Sequence, residues 1–136
     1  MTQVVRRSTK YTNDVLNIVR SKQHATNAEI AHELRKVHAE VSDTTVHRVT
    51  QRLYDDGLIG LAPPTKKGCL RYDGYAKLHD HFVCSDCGNL RDIKIADEVR
   101  RQIARELGDC YLDGPLMITG MCKTCQKRRE RWRYMK

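Results

Sequence analysis

The sequence predicts an α+β chain: a helical first half closed by a hairpin, then a small α/β second half clipped together by metal. Three observations carry this. Apolar residues recur at helical spacing in three consecutive segments. Two β-prone runs then flank the turn-rich Pro63-Pro64-Thr65-Lys66-Lys67-Gly68. Two Cys-x2-Cys pairs, Cys84/Cys87 and Cys122/Cys125, lie in the second half.

The first helix is expected over about residues 13–20, on Val15, Leu16, Ile18 and Val19. Thr26 is a candidate N-cap of the second, with Glu29 three residues on as its capping-box partner. Ile30, Ala31, Leu34 and Val37 continue that helix to about His38. Ser42 caps a third, whose buried stripe is Val46, Val49 and Leu53 and whose stop is Gly57. Thr44, Thr45, His47, Arg48, Gln51 and Arg52 lie mostly off that stripe and carry hydrogen-bond donors, a face that suits the major groove of DNA. Strands over Leu58–Leu61 and Cys69–Tyr75 would form a wing with a basic tip. Three helices and such a hairpin describe a winged helix-turn-helix. The competing reading is a small α/β domain whose polar helix face is only solvated.

A net charge of +8 favours polyanionic partners, nucleic acid first. With 40% hydrophobic and 31% charged residues, the composition is that of a folded chain rather than a disordered tail. No stretch approaches the roughly 20 apolar residues that span a bilayer, which argues against a membrane protein. Met1 to Arg7 lack the apolar core of a secretory signal. A cytoplasmic location is therefore expected. Thiols stay reduced there, so six cysteines point to metal before disulfides.

Two thiolates at Cys-x2-Cys spacing bind one ion from a single turn, and two such turns complete an all-sulfur tetrahedron suited to Zn2+. The 34 residues between Cys87 and Cys122 exceed a zinc ribbon's gap, so the fold must bring the pairs together. A closed shell of this kind serves stability rather than catalysis. Thiol-disulfide redox pairs are the rival. Cys69 and Cys110 fall outside the scheme and are expected to be buried small hydrophobes. His79-Asp80-His81 precedes the first pair, and alternation on a strand would point both imidazoles to one face. With Asp73, Asp92 and His24 they would make a mixed nitrogen and oxygen site suited to Fe2+ or Mn2+. Spacing alone leaves open that these are ordinary surface residues. Between the cysteine pairs, residues 96–107 read as an amphipathic helix with Val99, Ile103 and Leu107 as its stripe, and residues 111–121 as extended chain. The tail from Lys123 to Lys136 carries seven basic residues; it can extend a helix beyond Cys125, and it reads as solvated rather than as a specific DNA contact.

These residues resemble the ferric-uptake-regulator family over nearly the whole chain. The likeness runs through His24-Ala-Thr26, Glu29-Ile30, Leu34, Ser42, Thr45-Val46, Arg48 and Gly57-Leu58. It is densest at His79-Asp-His81-Phe-Val-Cys84-Ser-Asp-Cys87-Gly88 and Gly120-Met-Cys122-Lys-Thr-Cys125. The resemblance implies a winged-helix DNA-binding domain over residues 1–75 and an α/β dimerisation domain over residues 76–136. It also implies a homodimer on a pseudo-palindromic operator, structural zinc on the four cysteines, and a regulatory ion that bridges the two domains. Within the family the chain looks most like peroxide-sensing repressors. Their regulatory ligands match His24, Asp73, His79, His81 and Asp92, and their oxidised histidines match His24 and His79. Iron-sensing members carry glutamate where Asp92 stands. The resemblance thus implies a repressor, not an enzyme, relieved when Fe2+ promotes histidine oxidation. An iron- or zinc-homeostasis repressor of the same family is the alternative. A redox enzyme using the Cys-x2-Cys pairs, or a zinc-stabilised module that never touches DNA, would belong to other classes. Two departures stand in the recognition-helix signature: His47 replaces the usual tyrosine and Thr50 the usual leucine. Leu78 and Gly114 replace histidines of a further site that iron-type sensors often carry, so that site looks absent.

Overall fold

The computed structural model describes residues 10–134; the N-terminal segment read for a signal sequence, and the last two residues of the basic tail, lie outside that range. The chain divides into two compact units, one ending at Lys77 and the other beginning at Leu78.

In the first unit, α1 spans Thr12–Lys22, α2 Asn27–Leu34 and α3 Asp43–Asp55. Local chemistry sets their starts. The Thr26 hydroxyl accepts the Glu29 N–H and the Glu29 carboxylate accepts the Thr26 N–H, a complete capping box. The Ser42 hydroxyl accepts the Thr45 N–H in the same way. Helix α3 gives way to Gly57, whose positive φ of 74° suits the reversal that follows. Val15, Val19, Ile30, Ala31, Leu34, Val46, Val49 and Leu53 bury together with Ile59 and Tyr72 as the core.

Helix α2 is shorter than its apolar spacing predicts. It ends at Leu34, and Val37 lies in the following turn, 76% exposed, rather than on the core face. The strands are shorter too: β2 is Gly60–Ala62 and β3 Arg71–Asp73. Leu58 stays outside β2 and is exposed, while Ile59 just before the strand is buried. An additional strand, β1 (His24–Thr26), completes an antiparallel sheet of order β1-β3-β2. His24 therefore sits on a strand opposite Asp73, not in a loop. Gly74 lets α1 approach β3: a Cβ there would lie 2.7 Å from the Arg20 Cα. Cys69 and Cys110 are exposed, against the expectation of burial; Cys69 lies in the wing loop and Cys110 follows the turn after the fourth helix, where both backbones run at the surface.

In the second unit, β4 (Asp80–Cys84) is central to a sheet of order β5-β4-β6. Strand β5 (Leu90–Ile93) returns antiparallel, α4 (Asp97–Glu106) crosses over, and β6 (Met117–Gly120) runs parallel to β4. Helix α5 (Lys123–Tyr134) follows directly. The stripe expected on α4 exists but is not covered within the chain: Val99 is 46% and Leu107 55% exposed. Among the described residues of this unit, the buried apolar side chains are Cys84 and Cys125. The α+β class with a winged helix-turn-helix first unit holds.

Candidate metal centres and nucleic-acid interface

The four cysteines come together from two chain segments. Cys84 ends β4, Cys87 follows in its turn, Cys122 precedes α5 and Cys125 lies in its first turn. Register does the joining, because β6 pairs with β4 so that Gly120 lies opposite Cys84. The four Sγ atoms lie within 4.8 Å of one another, with Cys84–Cys125 at 3.8 Å and Cys87–Cys122 at 4.0 Å. Four sulfurs each about 2.3 Å from a tetrahedral ion sit about 3.8 Å apart, so the cluster fits Zn2+. The backbone N–H groups of Cys122 (3.4 Å) and Cys87 (3.5 Å) point at Cys84 Sγ and bring its thiol down to about 5. The neighbouring thiol of Cys122, then burial, push Cys125 up to about 12. Opposite shifts within one cluster are what crowding of like anions produces before a cation compensates them.

The predicted nitrogen and oxygen ligands fall into two groups, one in each unit. In the first unit His24 Nε2 lies 3.5 Å from Asp73 Oδ2, across the β1–β3 pair. Asp73 is almost fully buried, and its other oxygen accepts the Tyr75 N–H at 2.9 Å. In the second unit Asp92 Oδ1 lies 3.1 Å from His79 Nε2 and 3.2 Å from His81 Nε2. These three donors share one face because His81 and Asp92 are register partners and His79 is two residues from His81. Donors bound about 2.1 Å from one octahedral ion stand about 3 Å apart, so this face also fits a cation.

Sequence reasoning missed Asp80. Alternation places it on the opposite face of β4 from the two histidines, inside the second unit, and that is the signal that would have found it. Its carboxylate accepts Arg100 Nη1 at 2.9 Å, the Leu116 N–H at 2.8 Å and the Ile95 N–H at 3.4 Å. Arg100 also donates to the Gly114 carbonyl at 2.8 Å. Burial alone would raise the Asp80 carboxyl; the Leu116 N–H, the guanidinium and the Ile95 N–H outweigh it and hold the group below the ordinary aspartate value. Asp80 thus ties α4 and the segment before β6 to the strand that aims His79 and His81. Asp80→Ala should remove about 1–3 kcal/mol by taking the acceptor from Arg100 and the Leu116 N–H, read as a lower urea midpoint of the zinc-loaded protein. An unchanged midpoint refutes this. The contribution of Asp80 is complete above the ordinary aspartate range and fades as pH falls through its lowered value, so acid loosens this contact only below that range.

On the first unit, Thr44, His47, Arg48, Gln51 and Arg52 line a groove of about 680 Å³ with Asn27, Asp55, Leu70 and Tyr72. Thr44, His47, Arg48 and Gln51 are exposed on α3; Arg52 is half-buried, and so is Thr45, whose hydroxyl meets that of Ser42 at 3.0 Å. Gln51 donates to Asp55 at 3.0 Å. Asn27 was not foreseen as part of this face. No helix among the described residues is long and apolar enough to cross a membrane.

A winged helix-turn-helix unit and a unit with a four-thiol cluster combine a helix suited to DNA with a site suited to metal, the parts of a metal-dependent transcriptional regulator. The ferric uptake regulator family matches residues 4–110. The chain belongs to the ferric uptake regulator family. It is 26% identical over 125 residues to the ferric uptake regulation protein of Helicobacter pylori, covering 89% of this chain and 83% of that one. The solved Helicobacter pylori regulator, described as having three functional metal-binding sites, superposes with a TM-score of 0.73 at 26% identity, over 88% of this chain and 82% of that one. The Campylobacter jejuni peroxide stress regulator shares the fold, with a TM-score of 0.63 at 24% identity over 84% and 87%.

Proposed function

We propose that the chain is an operator-binding repressor that senses peroxide through a regulatory Fe2+ ion, with Mn2+ giving a peroxide-resistant form and Zn2+ held on Cys84, Cys87, Cys122 and Cys125. The observation that carries this reading is Asp92. One oxygen of a short carboxylate faces both His79 and His81 at 3.1 and 3.2 Å, where the longer glutamate characterises iron sensors. In this reading His24 and Asp73 complete the ligand set, so one ion draws on donors from both units. Metal binding then restricts the units to the arrangement that binds DNA. Thr44, Thr45, His47, Arg48, Gln51 and Arg52 supply phosphate and base contacts. The exposed Val99, Leu107, Tyr111, Met117 and Ile118 of the second unit are the surface on which a second copy would bury itself, giving two recognition helices for a pseudo-palindromic operator.

A bound Fe2+ would supply one electron to split the O–O bond of hydrogen peroxide and take one back as the ring carbon loses its hydrogen, so that H2O2 and a ring C–H become an oxygenated ring and water. On the chain's side, the imidazole of His24 or His79 gains that oxygen, loses its value as a donor, and the units are released. The iron-uptake alternative rests on the relatives, which are named for ferric uptake regulation. Mass spectrometry of the Fe2+-loaded protein after peroxide separates the two. One added oxygen atom on a peptide containing His24 or His79 is expected, and none when Mn2+ is loaded. No added oxygen with Fe2+ removes the peroxide reading and leaves the iron-homeostasis one.

A further inference from the structure

The two positions at which the recognition helix departs from its family signature, His47 and Thr50, meet at a third residue. Thr50 is fully buried on the inner face of α3, and its hydroxyl donates to Asn27 Oδ1 at 2.8 Å. The Val46 and His47 carbonyls at 3.1 and 3.2 Å are the longer options for the same proton. With Oδ1 turned to Thr50, the amide nitrogen of Asn27 faces His47 Nδ1 at 3.5 Å. Asn27 is held in place as the first residue of α2, inside the capping box that Thr26 and Glu29 close, and it lines the groove with His47 and Arg48. Leucine at position 50 offers no proton to orient an amide, and a tyrosine at 47 has no ring nitrogen to receive one. Both departures therefore act on the same side chain, Asn27.

We infer that Asn27 sets the tautomer of His47, so that His47 presents Nε2–H to DNA as a donor and selects an acceptor on the base edge, guanine above all. The Asn27 amide nitrogen can only donate, so its approach to Nδ1 at 3.5 Å favours that nitrogen as the acceptor, which places the ring proton on Nε2. In the major groove guanine offers two acceptors, N7 and O6, whereas cytosine offers an amino donor that would oppose the imidazole N–H. Adenine N7 is flanked by an amino donor, and thymine O4 is a single acceptor between its own methyl group and that amino donor, which leaves guanine, with two adjacent acceptors, the best match. The exposed ring of His47 stands on the same face as Arg48 and Gln51. Thr50 acts only through Asn27, and Asn27 only through His47: both are positioning residues for base choice.

This inference rests on the operator-binding reading, and the test separates the two. The zinc- and Mn2+-loaded full chain is used to select duplexes from a random pool. A shared site with guanine enriched at one position per half-site is expected. Thr50→Val, which keeps shape but removes the proton, and Asn27→Ala should each relax that position about tenfold, within the range of one base contact. His47→Ala should relax the same position. Other positions and the salt dependence should stay as in the parent. No shared site for the parent chain would defeat the operator reading itself. A parent site that both variants reproduce unchanged would overturn the Asn27 inference alone. Nitrogen-15 spectra of the zinc-loaded full chain without DNA give an independent readout. His47 should carry its proton on Nε2 in the parent and show both tautomers in Thr50→Val. A proton on Nδ1 in the parent overturns the inference whatever the variants do.

Discussion

Cys125→Ser is expected to leave the first unit folded and the second without stable structure. The reason lies in where apolar surface is buried. The first unit closes a continuous aliphatic core from three helices, Ile59 and Tyr72. In the second, the buried apolar side chains among the described residues are two of the cysteines themselves. A unit of that size has little apolar burial to set against the entropy of ordering its chain. Within the chain itself the four sulfurs supply the difference through the ion they bind, and structural zinc contributes on the order of 10 kcal/mol or more in small domains. Serine keeps the shape but is a poor fourth ligand, and Cys125 is buried where water cannot take its place. Zinc content should fall from one per chain to near zero, and the helical signal of α1–α3 should survive with its own melting transition. Exhaustive chelation of the parent should give the same melt. Zinc uptake should also release protons, because Cys125 is pushed up to about 12 until a cation displaces its proton. A Cys125→Ser protein that melts like the parent and is indifferent to chelators would refute the structural role.

Features written in neighbouring residues were legible in the sequence; those set by pairing across the fold were not. The capping box at Thr26 and Glu29, the Ser42 cap and the Gly57 stop depend on side chains within three residues of a helix end. The Cys-x2-Cys spacing is equally local, and the α3 stripe repeats strongly enough to locate both its buried and polar faces. Strand β1 is three residues long and exists because β3 offers it partners, so His24 could be named as a ligand but not placed on a strand. Val37 continues the apolar period of α2, yet the backbone leaves the helix before it, and period alone carries no stop there. Cys69 and Cys110 looked like core residues because cysteine usually is, and composition says nothing about the turns that hold them outside. Asp80 was hidden by its neighbours: between two candidate ligands it read as part of the motif, although strand alternation turns it inward to Arg100. The alternation that turns His79 and His81 to one face of the strand turns Asp80 to the other.

His24→Ala should abolish metal-dependent operator binding while leaving zinc and fold untouched, if one ion draws on both units. His24 lies on β1 beside Asp73, outside the aliphatic core and remote in sequence from the thiol cluster, so on this proposal its loss removes a ligand and leaves both the core and the thiols in place. The expected result is at least a hundredfold weaker Mn2+-dependent affinity for operator, since moving an equilibrium from mostly closed to mostly open takes a differential of that order. Full zinc content and an unchanged helical spectrum are the controls. Asp92→Glu makes the complementary test. It keeps the carboxylate but lengthens its reach towards His79 and His81, which now meet one oxygen at 3.1 and 3.2 Å. Metal-dependent binding should persist, and oxygen addition after Fe2+ and peroxide should fall sharply. The two variants therefore dissect the proposal: His24→Ala removes regulation, whereas Asp92→Glu retains regulation and removes the peroxide response. If His24→Ala still bound operator only with metal, the ion would belong to the second unit alone, and the coupling of metal to DNA would need another route. If Asp92→Glu were oxidised as fast as the parent, the short carboxylate would lose its diagnostic value for peroxide, because the chemistry would then depend on the histidines and not on how closely Asp92 confines them.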